Sequence, residues 1–250
     1  GVKPFDFVLY GFVVIGWSSS WLPLKWQVGT VAPEVSLIWR FLIAGSLMFF
    51  IGWLTKRRLA LPLWGHGVAM ALGVFLFSAI FALFYYASQS LASGLLAVVF
   101  ASASLVNLFY GAVLFRTPIR LLGLLAAILG FGGILLLYWP EIESSRGAIG
   151  ALALCLCGTF SFCTGNMISS AAQRRDLPVI GSTAWGMLYG AGFMLIVSLL
   201  RGHELTIEMS WRYIGGGMWL AVFSSVLAFS AYLTLLGRIG ASRAAYATVI

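Results

Sequence analysis

Apolar residues run almost unbroken along this chain in stretches of about 20 positions, the length a helix needs to cross a hydrocarbon core of about 30 Å. Short polar or basic segments separate the stretches. At that length the pattern predicts eight spans, near Asp6–Gln27, Pro33–Leu54, Leu63–Ser88, Ala92–Phe115, Ile119–Tyr138, Gly147–Ala172, Pro178–Leu200 and Trp211–Gly237. A ninth starts at Ala241 and runs to Ile250. The runs are apolar on both faces, which excludes barrel strands, where apolar and polar residues alternate. Pro33, Pro62, Pro118, Pro140 and Pro178 are predicted at span edges, where a missing N–H does least harm.

Composition makes the bilayer the solvent. Apolar residues are 61%, charged residues 9%, and mean hydropathy is +1.01, whereas a soluble domain carries about 25% charged residues. The fold class expected is an all-α polytopic membrane protein. The net charge of +8 does not point to nucleic acid, because the basic residues sit in short clusters between spans rather than on one face interleaved with aromatics. Assigned alternately, ten basic residues fall on the side of the N-terminus, among them Lys56-Arg57-Arg58, Arg116 and Arg120. Four fall on the other side, and Arg40 lies within a span. Basic bias in short loops sets orientation, so the N-terminus is expected in the cytoplasm and the chain in a bacterial inner membrane. The first run lacks a small-residue cleavage site and reads as a span, not a signal peptide. Cys155, Cys157 and Cys163 share one span with no His or acid beside them. A disulfide framework, a metal site and a cofactor are therefore not expected.

The order of the spans repeats. An offset of 149 residues places Ala82 on Ala231 and Ala92-Ser93 on Ala241-Ser242. Five spans in residues 1–140 make an odd number, so a second half over 147–250 starts from the opposite side. The expectation is a ten-helix inverted repeat of five plus five acting as one transport unit, with the last one to two helices not in this chain. Such repeats place a site near the midplane between the halves. Gly16-Trp17-Ser18-Ser19-Ser20, then Pro33 through Arg40-Phe41 to Ala44 and Leu47, then Tyr85-Tyr86-Ala87 with Ala92-Ser93-Gly94-Leu95, resemble the drug/metabolite transporter superfamily. Within it, the likeness is to EamA-type exporters with two five-helix repeats, and the aromatic-rich spans most resemble the YddG-type amino-acid exporters. The resemblance implies ten helices, a central cavity, alternating access and export of a small metabolite, with amino acids as the expected substrate.

Arg40 is the ionisable residue inside a span, seven residues below Pro33 and so about 10 Å deep at 1.5 Å per residue. A buried cation is a functional candidate. It either meets a substrate carboxylate, for which guanidinium is shaped, or bonds backbone carbonyls of a neighbouring helix. No acidic residue lies deep in a span, His66 is near a boundary and His203 is in a loop. Facilitative transport is therefore expected, unless a proton carrier lies on further helices. Trp17, Tyr85, Trp185, Tyr189, Tyr232 and Tyr246 are candidate pathway aromatics, since a deep Trp or Tyr needs a partner for its polar atom. Trp185 and Tyr189, four apart, share a helix face that is expected to pack an apolar side chain while Arg40 holds its carboxylate. Gln89, Asn107 and Asn166 are candidates to bond an amino group or one another across helices. Gly186 and Gly190 read as a close-packing face. Nucleotide sugars and phosphorylated metabolites are the alternative cargo, disfavoured by a single membrane Arg. An intramembrane serine enzyme is disfavoured because neither His is deep. One chain is expected to enclose the cavity as a monomer.

Overall fold

The computed structural model describes residues 3–248 apart from 117, 120 and 145. Arg120 and Ile250 therefore lie outside the described residues. Seven helical runs among the described residues are long and apolar enough to cross a membrane: α1 (Pro4–Trp26), α2 (Pro33–Leu54), α3 (Leu63–Ser88), α4 (Ser93–Leu114), α6 (Gly147–Gln173), α7 (Val179–Leu200) and α8 (Trp211–Ile239). Between α4 and α6 runs α5 (Leu121–Ser144), and α9 (Ala241–Ala244) opens the last segment. The chain is an all-helical polytopic membrane protein. Its N-terminus marks one face of the bundle, here the N-terminal face; Trp26, Pro33 and Leu200 mark the opposite face.

The expected spans match these helices closely, with one displacement. The fifth runs to Ser144 rather than ending at Tyr138, and Pro140 lies inside it instead of at its edge. A proline costs the helix a single N–H donor and a local clash. Trp139 Nε1 donating to Glu143 Oε1 at 2.7 Å ties the turn across that break.

Serines interrupt two helices. Ser19 and Ser20 donate their hydroxyls back to Ile15 O at 2.7 Å and Trp17 O at 2.6 Å, and α1 breaks there. Ser102 does the same to Val99 O at 2.6 Å, where α4 breaks. Such bonds compete with the helix ladder. Two further helices widen into π turns, α3 over Phe75–Ala79 and α8 over Leu220–Ala228. In α3 the displaced carbonyls find hydroxyl donors: Ser78 Oγ bonds Gly73 O at 2.6 Å and Ser161 Oγ bonds Phe75 O at 2.9 Å.

Close packing holds the centre. A Cβ on Gly190 would lie 2.8 Å from Phe77 O and 3.0 Å from Gly73 O, so α7 meets α3 backbone to backbone. A Cβ on Gly16 would lie 2.7 Å from Ala228 Cβ and 2.9 Å from Phe223 O, fixing α1 against α8. Without a hydrophobic force between helices in lipid, such small-residue contacts supply the dispersion energy. Large apolar side chains such as Phe50, Leu129 and Ile196 face outward, as a bilayer requires.

Candidate transport site

Arg40 is the deepest charge on α2 and is 1% exposed. Its Nε donates to Ser225 Oγ at 2.9 Å, Nη2 to Ser224 Oγ at 3.2 Å and Nη1 to the Tyr85 hydroxyl at 3.3 Å. The π turn in α8 presents the adjacent Ser224 and Ser225 to the same guanidinium. The cation also lies 4.2 Å from the Phe81 ring centroid and 5.2 Å from that of Phe41. Among the described residues these partners are hydroxyls and ring faces, with no carboxylate. Burying a cation without a counter-ion is costly, and neutral partners offset that only in part.

The guanidinium lines a small cavity of about 40 Å³ whose other walls include Trp17, Trp21, Phe84, Phe100 and Phe229. That space holds a few waters at most. Trp17 is its hub. Its ring packs at 5.8 Å on Phe100, 5.2 Å on Phe229 and 4.8 Å on Tyr232, and its Nε1 donates to Ser224 O at 3.2 Å.

An ion pair lies at each end of the bundle. At the opposite face the buried Glu34 carboxylate accepts the Tyr86 hydroxyl at 2.8 and 2.9 Å and pairs with Arg201, with His203 Nε2 at 3.8 Å. Glu34 raises the Arg201 guanidinium above its ordinary pKa. Lys25 Nζ donates to Ser88 O at 2.6 Å, and the Ser36 and Tyr213 hydroxyls meet at 2.8 Å. At the N-terminal face, buried Asp6 pairs with Arg238 and accepts the Lys3 N–H at 2.8 Å. Each pair joins a helix of the first half of the chain to the second half, Asp6 of α1 to Arg238 of α8 and Glu34 of α2 to Arg201 just past α7.

Residues 7–139, more than half of the chain, match the EamA-like transporter family. The chain belongs to that family. Relatives of this EamA-like transporter agree with the assignment. YedA of Escherichia coli K12, named an inner membrane transporter, is 29% identical over 92% of this chain and 74% of its own length. A transporter in the trpA 3'region of Buchnera aphidicola subsp. Schlechtendalia chinensis is 24% identical over 97% of this chain and 80% of its own. PagO of Salmonella typhimurium is 29% identical over 52% of this chain and 43% of its own. A crystal structure superposes on 99% of the chain and 86% of its own with a TM-score of 0.71 at 15% identity, which shows a shared fold. The protein is thus a multi-pass membrane transporter.

Within this EamA-like fold the predicted residues divide. Trp17, Arg40 and Tyr85 converge. Asn107, Asn166 and Tyr232 gather in a second buried group beneath Trp17, Asn166 Nδ2 donating to the Tyr232 hydroxyl at 2.8 Å. Trp185 and Tyr189 share a face as expected, their rings stacked at 5.8 Å, but that face does not reach Arg40. Their polar atoms are engaged towards the N-terminal face, where Trp185 Nε1 bonds Leu59 O at 3.1 Å and Tyr189 meets His66 Nδ1 at 2.8 Å. Gln89 follows the last turn of α3 and is exposed. Tyr246 is 56% exposed in the turn after α9. Neither joins the central cavity. Sequence reasoning missed Phe81, Phe84, Phe100, Ser224 and Ser225, which carry ordinary span residues and no motif. It also passed over Glu34 and Asp6, which it counted among acidic residues not deep in a span.

Proposed function

We propose that this transporter exports small carboxylates, amino acids with aromatic or other apolar side chains in particular, by alternating access. The observation that carries the reading is the Arg40 guanidinium, 1% exposed and, among the described residues, paired with hydroxyls and rings. A substrate carboxylate supplies the counter-ion, two N–H donors gripping two oxygens. Trp17, Trp21, Phe84 and Phe100 at the same cavity suit an apolar or aromatic side chain. Phosphorylated solutes carry more charge than one guanidinium offsets, so they fit less well.

The small central cavity and the two ion pairs suit a narrowed state, in which Arg40 also lines a space of about 260 Å³ with Ser36, Trp39 and Tyr213 on the side of the opposite face. Opening at one face separates Asp6 from Arg238; opening at the other separates Glu34 from Arg201. Arg40 lies about 10 Å from the Pro33 end of α2, near enough to the midplane to be reached from either side. Support for the two-fold repeat comes from the π turns: the 149-residue offset carries 75–79 onto 224–228, within the second π segment. The basic bias favours a cytoplasmic N-terminal face, and a single chain is the transporting unit. Asp6 and Glu34 are the buried carboxylates among the described residues, and both are held by arginines, which favours flux down the substrate gradient without a proton carrier.

The test is efflux from liposomes loaded with labelled amino acids, with and without an imposed pH gradient. Efflux of aromatic or apolar amino acids at equal rates in both conditions supports the reading. Absence of efflux for every amino acid refutes the substrate class, and efflux that requires the gradient refutes the facilitative mechanism.

A further inference from the structure

A second polar group lies on the far side of Trp17 from Arg40. Asn107 on α4, Asn166 on α6 and Tyr232 on α8 are each 0% exposed. Each is seven residues from the end of its helix at the N-terminal face, so about 10 Å deep. The Asn107 amide contacts the Tyr232 hydroxyl in a geometry short of a well-formed hydrogen bond for either of its polar atoms, and Asn166 Oδ1 has no hydrogen-bond partner. Buried amides without partners are rare and costly, more so where lipid surrounds the protein. A ring box closes around them: Tyr232 lies 4.8 Å from Trp17 and 5.4 Å from Phe162, centroid to centroid. Below Asn107 a cavity of about 250 Å³ extends to Ser170, Gly240 and Ser242, with Arg174 and Arg243 on its wall.

We infer that Asn107, Asn166 and Tyr232 form a second substrate station, one that takes a primary ammonium group; this rests on the proposed reading that the cargo is an amino acid. Two carbonyl oxygens open to donors, with Tyr and Trp faces beside them, match the hydrogen-bonding and cation–π demands of an ammonium. The arginines on the cavity wall favour a zwitterion over a simple amine, since its carboxylate draws it in and its ammonium runs ahead to the amides. The depths of the two groups leave about 10 Å between their levels in a core of about 30 Å. The ammonium and carboxylate of an α-amino acid sit on one carbon and cannot span that gap. The stations are therefore visited in turn: the amide station reads the amine, Arg40 reads the carboxylate, and Trp17 stands between them.

The experiment is equilibrium binding by calorimetry to the purified full-length protein, using phenylalanine and 3-phenylpropionate, which differ by the amine. The wild type is expected to bind phenylalanine about 10-fold tighter or more. Asn107→Leu and Asn166→Leu are expected to lower phenylalanine to the level of phenylpropionate and leave phenylpropionate unchanged. Asn107→Leu is also expected to leave ligand-free thermal stability unchanged or raised, because it removes a poorly bonded buried amide; if it does not fold, Asn107→Ala carries the same comparison. Arg40→Gln is expected to weaken phenylpropionate more than phenylalanine, which keeps the amide station, and so to raise the ratio. If Arg40→Gln weakens neither while the Asn variants erase the ratio, the carboxylate reading fails and the amine station stands. Equal wild-type affinities, no binding of either ligand, or Asn variants that keep the ratio overturn the inference.

Discussion

Removing Arg201 strands the Glu34 carboxylate, which is buried with 3% of its side chain exposed, while Arg201 itself is 49% exposed. A buried charge that loses its partner costs about 3–5 kcal/mol, but the half-exposed arginine gains less than a buried one because water screens it. Tyr86 still donates to both carboxylate oxygens. A net shift of about 1–2 kcal/mol is expected, which changes the ratio of open to closed protein about 5- to 30-fold. Arg201→Gln therefore favours opening at that face, where water reaches Glu34. Glu34→Gln also breaks the ion pair but leaves no buried charge, so its shift is smaller. The double variant should fall short of the sum of the two singles, as it must if they share one interaction. The assay is labelling of Leu24→Cys, a buried residue lining the central cavity, by a membrane-impermeant thiol reagent added at that face. Cys157 is the exposed native thiol, Cys155 and Cys163 being buried, so Cys157→Ser is the background. Faster labelling in the order Arg201→Gln, Glu34→Gln, wild type is expected. Wild-type rates in both variants, or a larger effect from Glu34→Gln, would refute the latch.

Gly190→Ala forces a Cβ to 2.8 Å from Phe77 O and should destabilise the protein by about 1–3 kcal/mol, read as a lower Tm in detergent. Gly11→Ala, with nothing within 4 Å of the added Cβ, should leave Tm unchanged. Trp17→Phe keeps a ring in the box but deletes the Nε1 bond to Ser224 O at 3.2 Å; substrate efflux is expected to fall several-fold with Tm changed by little, and unchanged efflux would count against Trp17 as a pathway residue. The efflux rate is expected to stay the same between symmetric pH and an imposed gradient, since the buried carboxylates among the described residues are arginine-bound.

The spans were legible because lipid demands one thing of every residue in them, and Pro33, Pro62 and Pro178 punctuate them at the positions a helix tolerates. Arg40 was legible for the same reason: a charge in a run of Ile, Trp, Phe and Leu stands out. Its partners were not. Ser224 and Ser225 lie 184 and 185 residues away in sequence, and a serine in a span carries no mark of what it faces. The ion pairs were hidden likewise, with 167 residues between Glu34 and Arg201 and 232 between Asp6 and Arg238. Trp185 and Tyr189 show the limit of helical periodicity, which places two rings on one face but does not say which neighbour that face meets. The displaced end of the fifth span reflects proline chemistry: Pro140 weakens a helix at one bond, and whether the helix stops there depends on its surroundings.

The central claim is that Arg40 holds a substrate carboxylate, and the ratio of transport rates for an amino acid and its carboxamide, measured in liposomes, tests it most directly. The carboxamide keeps the amine and side chain and loses only the negative charge. The wild type is expected to favour the acid about 10-fold or more, as loss of a charge-assisted bidentate bond requires, and Arg40→Gln is expected to bring the ratio close to one. A wild type that moves both equally, or an Arg40→Gln protein that keeps the preference, would contradict the account.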